Sequence, residues 1–577
     1  MSFPQATIAD WRAQVEKELA GAPFDKALVH TTAEGLSVQP LYTEPLQGDP
    51  GRAPLTTQPQ GASFLICMRH PVGASQDALQ GDLGQGTDGL WIPLDALPAL
   101  GSVFSTLDPA RTFFVFDAPP ASAVAAIDTL AKHIPSKALR FALNLDPLGA
   151  IARGDSKSDP EKVAEALADL GRGARHLGEH FPHATAALVS TLAHHDAGAD
   201  AADELAIALS TGVVYLRALL EAGLSVDEAA RRVALQVTVG RDTFVELCKL
   251  RALRICWSKL LVASGVAGAP RPLVHAVCSS RTLTQRDPWV NMLRSTTQVF
   301  AAVLGGADVV TPTAFDQGIG ASSALAHRVA RNTGLVLREE SHLGKVIDPA
   351  GGSYYLDTLT DGLAREAWTR FQAIERDGGL VDALVSGRVR ARLAEAWQRR
   401  LERITRRKDP ILGVSEFAFL DEERLHPPKG TETEAPAPAE SAIPAHRDAE
   451  PFERLRARAE GRNAAPEVLL VTLGPFAESR ARVGFATGFF AAGGLRTRES
   501  TANEPAPIAC LCGSDERYKT EAADRARALK AAGCKQVLLA GRPGALEPSL
   551  REAGVDGFLF VGCDVVPMLS DLLDVIA

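Results

Sequence analysis

The sequence predicts an α/β protein: a (β/α)8 TIM barrel with inserted helices, then a flavodoxin-like, doubly wound domain. Three observations predict the architecture. Over residues 61–345, eight apolar runs alternate with helical patterns, the number a (β/α)8 barrel needs. Most runs are apolar throughout, as suits strands buried on both faces of a parallel sheet. Beyond residues 427–451, rich in Pro, Ala, Glu and Thr and without aromatics, a shorter strand–helix alternation begins. An open doubly wound sheet would give the first alternation equally well.

Composition agrees with a folded protein. The chain has 577 residues, 46% hydrophobic and 23% charged, with net charge −9. That balance excludes global disorder, collagen and coiled-coil arrays. No basic surplus exists to neutralise phosphates, so nucleic acid is not an expected partner. No run approaches about 20 apolar residues, so no membrane is expected. The mixed, charged start MSFPQATIADWRAQVEKEL does not read as a signal peptide. Eight cysteines are scattered without a CxxC pair, which reads as buried thiols in a reducing, cytoplasmic setting.

The elements follow in order. Residues 1–60 read as a helix and an extended arm that contacts another subunit. In the helix, Ile8, Trp11, Val15 and Leu19 recur at spacings of three and four, and Gly21 ends it. The barrel strands are expected at 63–68, 90–94, 112–118, 139–147, 186–193, 272–279, 307–315 and 334–341. Two long helical stretches, 200–223 and 225–263, precede the strand at 272–279 as insertions. Residues 346–426 read as a helical extension packed on the barrel, broken at Gly378 and Gly379. Residues 427–451 read as a disordered-type linker. Residues 452–577 read as the second domain, with strands at 467–474, 507–513, 535–541 and 556–562.

Several strings carry a resemblance. The longest is RNTGLVLREESHLGKVIDPAGGSYYLD, starting at Arg331. RDPWVNMLRSTTQVFAAVLGGADVVTPTAFD (286–316), EGLSVQPLYT (34–43) and TVGRDTFVELCKLRALRICW (238–257) join it. Together they resemble the adenosylcobalamin-dependent coenzyme-A mutases, above all the methylmalonyl-CoA mutase family. The resemblance implies an arm, a barrel whose axis an acyl-CoA threads, a strand near Arg331 that closes it, and a C-terminal cobalamin domain. It implies a radical rearrangement of succinyl-CoA and methylmalonyl-CoA, in which the cofactor supplies the radical chemistry.

Chemistry-bearing positions depart from the family pattern. Registered on Ala197, Gly198 and Ala199, the family's Tyr-His pair becomes Leu192 and Ala193. His194 and His195 stand one and two residues out of place, and on a strand a one-residue shift reverses the face. The family's substrate-facing His becomes Thr311. Its Gln in a Thr-Ile-Gln-Asn-Asp loop falls in LNLDPLG (143–149), which has no Gln. Asp-x-His-x-x-Gly, which supplies the cobalt ligand, is missing from PFAESRARVGFATG, and the last histidine of the chain is His446. No catalytic, cofactor-binding or metal residue is therefore expected in this chain.

That pattern resembles the small, non-catalytic subunit of heterodimeric bacterial mutases. It implies a large catalytic subunit as partner and adenosylcobalamin bound there, not here. The alternatives are a divergent self-sufficient mutase and a stand-alone protein that binds a CoA ester. Gly344–Lys345 lacks P-loop spacing, so the chain is not read as a GTPase.

Overall fold

The computed structural model describes residues 7–43, 64–100, 104, 107–108, 112–118, 122–156, 159–266, 268, 270–428, 442–462 and 465–576. The first expected helix forms as Ile8–Glu18. Thr7 and Asp10 cap each other at its start, and none of its residues is buried. The arm then folds into an antiparallel pair, β1 (His30–Thr31) and β2 (Ser37–Val38). It packs on its own chain: Glu34 accepts a hydrogen bond from the Ala201 N–H at 3.1 Å, and the Tyr42 ring lies 5.2 Å from that of Tyr355.

Eight parallel strands close a barrel. They are β3 (Leu65–Arg69), β4 (Gly89–Pro93), β5 (Phe113–Asp117), β6 (Arg140–Leu145), β7 (Thr185–Ser190), β8 (Val233–Val239), β9 (Leu273–Cys278) and β10 (Val309–Thr311). β10 returns to β3, with Val309 opposite Leu65. The number eight is the expected one, but the membership is not. Residues 334–341 are no strand. Ser323 caps the helix Ala324–Leu335, which continues into a wide turn, Val336–Glu340. Its apolar run is only three residues long before charges begin, too short to compete with a helix already nucleated. The strand that replaces it, β8, lay inside the stretch 225–263 read as helical. Its β-branched Val233, Val237, Thr238 and Val239 favour a pleated strand. Ser225 and Asp242 cap the separate helices on either side, Val226–Arg231 and Thr243–Ala263.

The helices Ala201–Glu221 and Thr243–Ala263 are buried over most of their surface. Ala201–Glu221 is mostly apolar, as suits a helix enclosed between layers, whereas Thr243–Ala263 also buries Glu246, Lys249, Arg251 and Arg254. The extension Tyr354–Arg376 packs against both.

The C-terminal domain holds a five-stranded parallel sheet, in order β12-β11-β13-β14-β15. Its members are β11 (Glu467–Thr472), β12 (Arg496–Ser500), β13 (Ile508–Cys512), β14 (Gln536–Ala540) and β15 (Gly557–Leu559). Renumbered within the domain this is 2-1-3-4-5, the flavodoxin order. Hydrophobicity misses β12 because its sequence, RTRES, is charged. As an edge strand it pairs only with β11 and leaves those side chains to solvent.

Of segment 427–451 the structure describes 427–428 and 442–451, and the latter stretch is packed. Ala442, Asp448 and Ala449 are buried. The helix Glu450–Glu460 begins inside it and sends Phe452, Leu455 and Ala459 into the core of the C-terminal domain.

Candidate functional site at the barrel mouth

In a parallel barrel the reactive face is at the C-terminal ends of the strands. Four polar side chains form one chain of hydrogen bonds inside this barrel. Ser190 Oγ of β7 donates to Gln236 Oε1 of β8 at 2.9 Å. Gln236 Nε2 donates to His275 Nδ1 of β9 at 3.1 Å. That fixes the proton of His275 on Nε2, which donates to Thr311 Oγ1 of β10 at 2.7 Å. Thr311 in turn donates to the Cys67 carbonyl of β3 at 2.8 Å. The Trp91 ring meets His275 edge-on at 5.4 Å, and the Arg69 guanidinium lies 4.2 Å over the indole. Cys67, Trp91, Phe113, Val115, Ala142, Val277 and Val309 form an apolar cluster, against which Leu192 packs. Burial, reinforced by the charge of Arg69, lowers His275 to about 3, so the ring is neutral.

A charged network lies beside this row. Glu204, in the first turn of Ala201–Glu221, accepts from Thr191 Oγ1 at 3.0 Å, His195 Nδ1 at 2.8 Å and Lys249 Nζ at 2.9 Å. Lys249 also meets Glu246 Oε2 at 2.6 Å and is 0% exposed. His195 Nε2 accepts from Ser279 Oγ at 2.8 Å. Burial raises the Glu204 carboxyl, but Lys249 and His195 outweigh it and hold it down. Burial lowers both His195 and His194 to about 4. Both ring nitrogens of His194 are buried without a partner.

The histidines therefore sit otherwise than strand geometry predicts. β7 ends at Ser190, and Leu192–Asp196 is a short helix. Successive side chains there turn by about 100° rather than reversing face. Leu192 reaches the barrel interior, Ala193 is half-buried, and both histidines are buried. Thr311 is 3% exposed, inside the barrel. In the 143–149 stretch, Asn144 Nδ2 donates to Asp117 Oδ1 at 2.6 Å, and Asp146 Oδ1 accepts from the Tyr215 hydroxyl at 2.5 Å. Sequence reasoning missed Gln236, His275, Glu204 and Lys249. The available signal was a polar residue inside an apolar run, as in LVHAVC.

The segment 442–449 crosses this face. The Ile443 N–H donates to the Ala152 carbonyl at 2.8 Å, that of His446 to Asp196 at 2.9 Å, and that of Asp448 to Arg281 at 2.9 Å. Asp448 also holds Arg400 through two bonds of 2.7 Å. The His446 ring stacks on Trp397 with centroids 4.3 Å apart. These contacts place the segment over the loops that follow β6, β7 and β9.

In the C-terminal domain, the loop after β11 runs Leu473-Gly474-Pro475 into the helix Phe476–Ala492. Glu478 faces Arg517 there at 2.9 Å, and Arg517 crowds Gly474, where a Cβ would lie 2.6 Å from its Nε. The sequence has no histidine after His446.

A family model for methylmalonyl-CoA mutase matches residues 107–467. The chain belongs to the methylmalonyl-CoA mutase family. A methylmalonyl-CoA mutase small subunit from Streptomyces virginiae is 39% identical over 99% of this chain and 97% of its own length. The small subunit from Propionibacterium freudenreichii subsp. shermanii is 33% identical over 100% and 95%. A methylmalonyl-CoA mutase from Cereibacter sphaeroides is 29% identical over 72% of this chain and 65% of its own length. Within this mutase-family fold the expected closure near Arg331 is corrected. β10 closes the barrel, while Arg331 leaves the helix Ala324–Leu335 to bind Asp82 at 2.7 Å. Asp82 also takes His70 and His327, at 2.8 and 2.6 Å. Among the described residues no helix is long and apolar enough to cross a membrane.

Proposed function

We propose that this chain is the non-catalytic small subunit of an adenosylcobalamin-dependent methylmalonyl-CoA mutase. It pairs with a larger catalytic chain that binds the cobalamin and interconverts succinyl-CoA and methylmalonyl-CoA in propionate metabolism. The observation that carries this reading is the self-satisfied polar row inside the barrel. Trp91 and the row Ser190–Gln236–His275–Thr311 lie inside the barrel, through which the acyl-CoA of the family would pass, and the members of the row satisfy one another. Admitting a ligand would break buried hydrogen bonds and orphan their partners, at about 1–3 kcal/mol for each group.

The donor set of the C-terminal domain supports the same reading. In this family a histidine would hold the cobalt of the cobalamin, whereas the start of the helix after β11 offers a Glu478–Arg517 ion pair instead. The residues present do not fit that group, so no reaction step is assigned to this chain. Its own residues hold a scaffold: the buried networks fix the barrel, and the segment 442–449 covers the mouth. The helix Ile8–Glu18, with Ile8 55% exposed and none of its residues buried, is the part of the arm left for a partner.

The test is to purify the full chain alone and together with a large mutase subunit. The chain alone is expected to show no cobalamin absorbance after gel filtration and no turnover of succinyl-CoA. The pair is expected to show both. Cobalamin retained by the isolated chain, or a large subunit that ignores it, would overturn the proposal.

A further inference from the structure

The outer helices carry a second set of ligand atoms, away from the barrel mouth. The helix Pro160–His180 ends in His176-Leu177-Gly178-Glu179-His180. A spacing of four puts both imidazoles on one helix face, and their centroids are 4.7 Å apart. Asp128, on the neighbouring helix Ala123–His133, accepts from His176 Nε2 at 2.8 Å. Glu179 Oε2 stands 3.7 Å from the other nitrogen of that ring, Nδ1. The two helices are tightly set: a Cβ at Gly173 would lie 2.5 Å from that of Ala123.

We propose that Asp128, His176 and His180 bind one divalent transition-metal ion of the Zn2+ class. One ligand atom from each already lies within 4.8 Å of the other two. Zinc binds imidazole nitrogen at about 2.0–2.1 Å and carboxylate oxygen at about 2.0–2.2 Å, which separates tetrahedral ligand atoms by about 3.4 Å. The His176–Asp128 contact has to open by only about half an ångström, and the His180 ring has to swing in. The side chains have room for this, since His176 is 25% and Asp128 52% exposed. Glu179, 3.7 Å from Nδ1, needs to close by less than an ångström to accept its proton, which would present Nε2 to the ion. Two imidazoles and one carboxylate favour Zn2+, Co2+ or Ni2+ over Mg2+ and Ca2+. Solvent supplies the fourth ligand at this open site. The other His–Asp–His group does not qualify. Asp82 is buried and already paired with the Arg331 guanidinium, whose charge opposes a cation.

The site lies at the end of the barrel opposite the mouth. His180 precedes β7, and helices in this fold run back against the strands. A bound ion would clamp the helices that lead into β6 and β7, and it takes no part in the mutase reaction.

The test uses the untagged full-length chain, stripped with EDTA and titrated by calorimetry with Zn2+ and with Co2+. One equivalent is expected to bind, with the intense visible bands of tetrahedral Co2+, a raised melting temperature and no displacement by excess Mg2+. His180→Ala and Asp128→Asn are each expected to weaken binding by more than the about 10–100-fold typical of losing an outer-shell partner. His327→Ala, at the other cluster, is expected to bind as the parent does. Melting each variant in EDTA separates lost folding from lost binding. His180→Gln, which keeps a polar side chain there, serves if His180→Ala fails to fold. No uptake by the parent chain, or uptake abolished in His327→Ala and kept in His180→Gln, would overturn the assignment.

Discussion

The barrel and the C-terminal sheet bury their parallel strands in opposite ways. Inside the barrel, Ser190, Gln236, Thr238, His275 and Thr311 are buried polar residues. In the C-terminal sheet, β11, β13 and β14 bury Val, Leu, Ile, Ala and Cys, and charges such as Glu478 and Arg517 stand in the first turns of the helices Phe476–Ala492 and Asp515–Ala531, beyond the strand ends. The difference teaches how unequally the two regions tolerate a changed ligand position. A ligand position inside a barrel faces other side chains, so losing one polar group strands its neighbours, and survival requires a new set of mutual partners. A ligand position on a loop beyond the sheet faces water. Replacing it costs the core nothing, and no trace of a network remains.

Substitutions can break or sharpen that comparison. The largest effect is expected for Lys249→Met, which leaves Glu204 and Glu246 buried without their cation. A loss of about 3–5 kcal/mol in urea unfolding is expected, and a value below about 1 kcal/mol would mean that the barrel tolerates lost partners as the loops do. Asp448→Asn comes next. It keeps one acceptor for Arg400 and removes the buried charge that Arg281 and Arg241 also approach. About 2–3 kcal/mol is expected, with faster proteolysis within 427–451 as the specific readout.

His194→Met gives a smaller, pH-dependent effect. In the folded chain burial depresses His194 to about 4, while an unfolded histidine titrates near ~6.5. As pH falls, the unfolded chain takes up the proton first. Stability from the neutral ring is fully present above ~6.5 and is lost progressively down to about 4. The variant should show a flatter stability profile in that window and stay within about 1.5 kcal/mol of the parent at pH 7. Asp196, raised by burial to about 6, tilts the profile the other way in both proteins and cancels in the comparison. An unchanged slope would mean that the folded ring takes up its proton as the unfolded one does. The smallest effect is expected for Arg517→Ala, in the first turn of the helix Asp515–Ala531: no measurable shift in the unfolding midpoint, in contrast to Lys249→Met.

The barrel was legible wherever an apolar run was long and bounded by turn residues, as in FFVFD of β5 or LVHAVC of β9. It was misread where period and burial conflict. VALQVTV is enclosed on all sides, so its polar residues face the barrel interior instead of marking a solvent face, and capped helices on both flanks extend the helical signal across it. LVLREE failed in the other direction, because three apolar residues at the end of a helix look like the start of a strand. At the candidate site, absences were legible and presences were not. A missing imidazole after His446 can be counted on the page. The link from Ser190 through Gln236 and His275 to Thr311 joins four strands far apart in sequence.

By itself the sequence determined the family, the two sheets, the outline of the arm, and the lack of any histidine in the C-terminal domain. These follow from residue identity and local period alone. Only the tertiary structure decided that Thr311 is an acceptor inside the barrel, that His194 is buried without a partner and His195 with two, and that 442–449 covers the mouth. Each of those depends on which side chains barrel closure brings to within 3 Å of one another, and closure is a property of the register between strands rather than of any one of them.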